Sequence, residues 1–184
     1  MFEFRTYRAS AWPEHLRPLG EGTVEKETFE AWWARHSAEL GHLHPMLVEQ
    51  WVYRHWDGTD FQFLPLDTLR WDLVVVEGEQ ILRSVRREIA RNLDPDFDYE
   101  QLQGLTHFEK SETAIELDAG TWIYPIIALS TPSGWIARHA ELPDERLMLV
   151  EGHQRHRYLN ALHAKELAPS GSHQVFIIHS PLVT

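Results

Sequence analysis

The stretch Leu147-Met-Leu-Val-Glu-Gly-His-Gln-Arg-His-Arg-Tyr-Leu-Asn-Ala-Leu162 constrains the fold of this chain more than any other. Leu147 to Val150 is a short, unbroken apolar run, which reads as a buried strand. It passes through Glu151-Gly152 directly into a helix that opens at His153 and turns Tyr158, Leu159 and Leu162 inward. A buried strand feeding a helix is the building unit of α/β and α+β domains. Two further strands flank it in sequence, Trp122 to Leu129 before a turn at Thr131-Pro-Ser-Gly134, and Val175 to Ile178 after Gly171.

The 184 residues suffice for one ordinary domain with a real core. There are no cysteines, which excludes disulfide scaffolds, thiolate-held metal centres and cysteine nucleophiles. With 28 acidic against 17 basic residues the net charge is -11, a surface that repels bare nucleic-acid backbone while leaving room for a small basic site. No apolar run is long enough for a transmembrane helix, and Met1-Phe-Glu-Phe-Arg5 lacks the order of a signal peptide, so a cytoplasmic location is expected.

The first third is aromatic. Phe29, Trp32, Trp33, His36 and Leu40 mark one face of a helix expected from about Thr23. Val48 to Trp56, the turn Asp57-Gly58 and Thr59 to Leu64 predict a hairpin. Leu73 to Val76 reads as a short buried strand or the start of the next helix. That helix runs from Glu79 through Ile81, Leu82, Val85, Ile89 and Leu93, with Arg83, Arg86, Arg87 and Arg91 on its outer face. Those arginines either meet phosphate or form a solvated face paired with Glu79 and Glu88. Asp94 to Asp98 superficially resembles a calcium loop, but Tyr99 and Leu105 stand where such a loop needs glycine and glutamate. These acids are expected to cap a short helix from Tyr99 to Leu105.

Arg155 and Arg157, with His153 and His156, crowd the start of the helix after Gly152. Cations at a helix N-terminus are unfavourable by about 0.3–1 kcal/mol each, unless an anion sits there and the arginines fork onto its oxygens. The bland alternative is a basic helix start neutralised by Glu145, Glu151 and the acidic body. Glu151 either holds Mg²⁺ or a water, or pairs with Arg155 or Arg157. His153, His156 and His163 share one helix face and make a conceivable metal site. His42 and His44 read as structural, and His139 and His173 flank the junction. No serine-hydrolase elbow is present.

The run Pro125-Ile-Ile-Ala-Leu129, the junction Leu147-Met-Leu-Val-Glu-Gly-His-Gln-Arg155 and Tyr158-Leu-Asn-Ala161 resemble the ParB/sulfiredoxin superfamily. The likeness is to its "Pro-Ile-x-Val … Gly-x-x-Arg" pattern and to the ParB-like nuclease-domain branch. Leu64-Pro-Leu-Asp-Thr-Leu69 is similar to that family's opening strand. The resemblance covers roughly residues 60–184. It implies an α+β domain with a small mixed sheet over 58–184. Residues 1–57 have no counterpart in that pattern; they are expected to pack on this domain as a helical and hairpin extension, because their aromatic side chains would aggregate on a free arm. The resemblance also implies nucleotide-phosphate binding (ATP or CTP, with Mg²⁺) through Gly152, His153, Gln154, Arg155 and Arg157. Glu151, His153 and Arg155 would be the catalytic group, with Glu151 on the metal. His153 stands where sulfiredoxins carry their reactive cysteine, so sulfiredoxin chemistry is ruled out. No helix-turn-helix is recognisable, so a full centromere-binding ParB is not expected. The implied function is hydrolysis of ATP or a related nucleotide, with a metal-dependent nuclease acting on nucleic acid as an extension. The alternative is a non-catalytic regulatory or inhibitory module that docks on a protein partner in a mobile-element or toxin–antitoxin system.

Overall fold

The structure, a computed structural model, describes residues 2–3, 11–20, 25–87, 93–105, 109–136, 141–142, 146–169 and 171–183. Thr23, Glu88, Ile89, Arg91, His139 and Glu145 lie outside the described residues, and the expectations placed on them stop there.

Strand β1 (Phe2–Glu3) and a 3-10 turn (Glu14–Leu16) precede helix α1 (Phe29–Leu40). Thr28 caps α1, its Oγ1 accepting from the Ala31 amide at 3.3 Å and so satisfying an orphan donor of the first turn. The one-turn helix α2 (Pro45–Leu47) begins with a proline, whose missing N–H needs no partner there. It continues as a π-helical segment (Val48–Tyr53). A 3-10 turn (Leu66–Thr68), strand β2 (Arg70–Glu77), helix α3 (Gly78–Ser84) and strand β3 (Val85–Arg87) follow. Helices α4 (Pro95–Leu102) and α5 (Glu112–Asp118) are capped by Asp94 and Ser111. The last third holds β4 (Ile126–Thr131), β5 (Trp135–Ile136), β6 (Glu141–Leu142), β7 (Arg146–Glu151), α6 (His153–Ala164) and β8 (Ser172–His179).

Five strands form a mixed sheet in the order β2-β8-β4-β7-β3. β8 is antiparallel to β2 and parallel to β4, while β7 is antiparallel to β4 and parallel to β3. A separate small sheet has the order β1-β5-β6. Side chains alternate across a strand, and the central strands use both faces. Ile127, Leu129, Met148, Val150, Phe176 and Ile178 face a core built with Trp12, Leu16, Trp32, Leu47 and Trp51 from the N-terminal segment. Ile126, Ala128, Leu149 and Val175 face a second core with Leu102, Leu117, Tyr158 and Leu159 from α4, α5 and α6. The architecture is therefore α+β, with a sheet sandwiched between two layers. Three buried indoles spend their N–H groups on backbone carbonyls: Trp12 on Leu64, Trp32 on Leu16 and Trp122 on Gln174, at 2.8–2.9 Å.

Several expectations are corrected. The hairpin over 48–64 is absent: Val48–Tyr53 is π-helical, and Val48, Trp51 and Val52 are buried by that winding. β-branched and aromatic residues give a strand signal, but packing overrides it. Helix α1 starts at Phe29, and the helix after Asp94 starts at Pro95, not Tyr99. The arginine-faced helix ends at Ser84, because Val85 pairs with Leu147 as a parallel strand. Arg83 pairs with Glu79 within α3 at 3.3 Å, and Arg86 and Arg87 lie on β3. Strand β2 exists, but none of its residues is buried. Residues 64–69, read as an opening strand, form a 3-10 turn with Leu64 and Leu66 buried.

Candidate functional site

The sheet register slips between Ile127, opposite Glu151, and Ala128, opposite Leu149, leaving Val150 as an extra residue on β7. Such a bulge re-aims the side chains beside it. Val150 joins the core shared with the N-terminal layer, and Glu151 also reaches that layer, its Oε2 3.5 Å from His55 Nε2. Gly152 then turns the chain with φ +96° and ψ 29°, in the left-handed region. A Cβ on Gly152 would stand 2.6 Å from Ile126 Cγ2 and 3.2 Å from Ile126 Cα. Close approach to β4, as well as the positive φ, therefore requires glycine here.

The first backbone bond of α6 runs from His156 N to Gly152 O at 2.9 Å. The N–H groups of His153, Gln154 and Arg155 precede that ladder and have no acceptor within the helix. No acidic residue lies in the first turn of α6, and no side chain caps it. Arg155 does not point its fork at open solvent. Its Nη1 donates to Gln50 Oε1 at 3.0 Å and to the Tyr124 carbonyl, and its Nη2 lies 3.5 Å from Glu151 Oε1. Gln50, buried in the π-helical segment, donates in turn to Pro125 O at 2.9 Å. Arg155 is thus a tie between the N-terminal layer, β4 and α6. Arg157 leaves the junction altogether and forks onto Asp98 of α4, its Nε donating to Oδ1 at 2.9 Å.

Two adjoining lobes of a cleft open over this helix end. The larger, about 470 Å³, lies between Arg54 and His55, the α5 residues Glu112 and Glu116, and the turn Gly152-His-Gln154. The smaller, about 290 Å³, is lined by Thr59, Asp60, Phe61 and Arg87. His55, Glu151 and His153 border both lobes and form the waist between them. Burial pushes the His153 imidazole below its ordinary pKa, with Glu151 opposing and Arg87 reinforcing the shift, so the ring is neutral at pH 7. Its Nδ1 is buried with no hydrogen-bond partner among the described residues. At the far wall Arg54 lies over the Tyr124 ring, 5.0 Å from its centroid, and the Tyr124 hydroxyl meets Glu49 at 3.2 Å.

Sequence reasoning placed Glu151, Gly152, His153, Gln154 and Arg155 together, and all five line the cleft. It missed Arg54, His55, Asp60, Glu112, Glu116 and Tyr124. The dense polar run Arg54-His-Trp-Asp57 was the available signal, hidden under the strand pattern. Among the described residues no three histidine or carboxylate side chains gather as a protein-held metal would require. His156 is buried in the second layer, and the Nε2 atoms of His163 and His173 turn instead to Gly78, where a Cβ would stand 2.9 and 3.4 Å from them. His42 Nε2 meets the Leu66 carbonyl, and His44 Nδ1 accepts from the Met46 amide, both structural uses. Among the described residues no helix is long and apolar enough to cross a membrane. Comparison of the chain with protein-family models, with curated proteins and with solved structures finds no match.

Proposed function

We propose that this cleft binds the phosphates of a nucleoside triphosphate, ATP or CTP, and that the protein hydrolyses it. One observation carries the reading: a cavity of nucleotide size lies against the uncapped N-terminus of a twelve-residue helix, with an imidazole–carboxylate–imidazole waist. The likeness of the Gly152 junction to the ParB/sulfiredoxin phosphate turn supports it from the sequence side. In this account the N–H groups of His153 and Gln154 hold phosphate oxygens. Neutral His153 takes the proton of the attacking water, the new P–O bond forms as the bridging P–O bond breaks, and Glu151 steadies the imidazolium that results. Arg155 is a positioning residue that fixes Glu151.

Phosphate release from ATP and from CTP, with and without Mg²⁺, tests the chemistry. The wild type should turn over, and His153→Ala should lose about 100-fold or more while still binding nucleotide. A nucleic-acid cleavage assay on the same preparation reads the nuclease extension. A second reading is favoured by the engagement of Arg155 with Gln50 and Tyr124, which turns that arginine's fork away from developing phosphate charge. On that reading the protein is a regulatory or inhibitory module that binds nucleotide or a protein partner without turnover. Nucleotide binding with no phosphate release would select it.

A further inference from the structure

Strand β2 lies at the opposite edge of the five-stranded sheet from β3 and the cleft. It pairs with β8 on one side only, and among the described residues no strand pairs with its other edge. It is eight residues long, with the sequence Arg70-Trp-Asp-Leu-Val-Val-Val-Glu77, and every residue is at least partly exposed. Val75 is 64% and Leu73 39% exposed. Natural proteins protect such edges with a central charge, a proline or a bulge, because a free row of N–H and C=O groups templates pairing. Here the middle of the strand, from Leu73 to Val76, carries none of these. We propose that β2 is the interface of a symmetric homodimer, in which two copies join their sheets edge to edge through antiparallel β2 strands.

The occupant follows from the strand's own pattern. A two-fold axis normal to a sheet keeps each face on its own side, so residues facing each other must be separated by an even number of positions. Centring the axis on Val74 sets Val74 against the second copy's Val74, and Leu73 against Val75 twice over. The two exposed apolar residues, which share one face, then cover each other across the seam. The same register sets Trp71 against the second copy's Glu77 and Asp72 against its Val76, so no like charges face each other across the seam. An arbitrary peptide would not supply this self-complementarity. Joining at this edge leaves the cleft of each copy open.

Sedimentation equilibrium of the full chain across micromolar concentrations, with Val75→Lys and Leu73→Lys alongside, tests the proposal. Both positions are exposed, so the variants should melt like the wild type. The wild type should dimerise and each lysine variant should weaken the dimer about tenfold or more, since the substituted pair occurs twice per interface. Hydrogen exchange of the wild type provides a readout that needs no variant: Arg70–Glu77 amides should gain protection as concentration rises. A wild type that stays monomeric overturns the proposal, and so does a dimer that neither substitution weakens.

Discussion

At the residue scale the junction histidines divide by burial. His156, one turn after His153, is buried against the second core. Burial, reinforced by Arg87, lowers its pKa to about 4, with the backbone of Val85 on β3 opposing the shift. The unfolded chain protonates this group near pH 6.5, so between about 6.5 and 4 the unfolded state holds more protons and stability falls as the pH drops. A shift of that size corresponds to roughly 3 kcal/mol, fully present above neutrality and lost by about pH 4. Urea unfolding at steps from pH 7.5 to 4 should show this decline, shared with the lowered His153 and His173. In His156→Phe the curve should be flatter; an unchanged slope would remove His156 from the account. Arg155 carries a different lesson. Sequence spacing left open whether it meets an anion or a neighbouring acid, and the structure engages it with Gln50, Tyr124 and Glu151. No local pattern reveals Gln50, which lies 105 residues away.

At the element scale the β7–Gly152–α6 junction was legible because three local signals agree there: an apolar run, a glycine, and helical periodicity. The structure adds why the glycine is needed. Gly152→Ala would force an alanine into the left-handed region, at about 1–3 kcal/mol. It would also press a methyl group onto the β-branched Ile126, at a further 1–3 kcal/mol or so. A drop in melting temperature of many degrees is expected, and a variant as stable as the wild type would show that the close approach is relaxed in solution. Elements whose identity depends on distant partners were not legible. Val48–Tyr53 reads as a strand until Trp51 meets Trp12, whose rings lie 5.2 Å apart edge-on. The His44-Pro45 helix start before it was the stronger, overlooked clue. Val85–Arg87 continues a helical pattern in sequence, yet it is drawn into the sheet by β7.

At the scale of the whole molecule the sheet has no solvent face to spare in its centre. Residues before position 57 supply Trp12, Leu16, Trp32, Leu47 and Trp51 to the core that covers Ile127, Met148 and Phe176. Removing that layer would bare a broad apolar surface, so 58–184 should not be recovered as a soluble, stably folded piece. Brief proteolysis should therefore leave no resistant fragment beginning near residue 58; the appearance of one would contradict the shared core. The cleft owes its shape to the same arrangement, because Arg54 and His55 come from the N-terminal layer and Glu151 from the sheet. Half of the site was visible in the sequence as one contiguous motif. The other half is assembled by tertiary packing.

The central claim, that an anion is held by the open end of α6, is tested most directly by calorimetric titration of ATP into the wild type and Gln154→Glu. Gln154 is exposed in the first turn and lines the cleft. A carboxylate there suits the helix dipole, adding about 0.3–1 kcal/mol of stability, while it repels phosphate. The account predicts saturable ATP binding by the wild type and at least about tenfold weaker binding by a Gln154→Glu protein that melts no lower. Equal affinity in the two proteins, or no binding by the wild type, would contradict it.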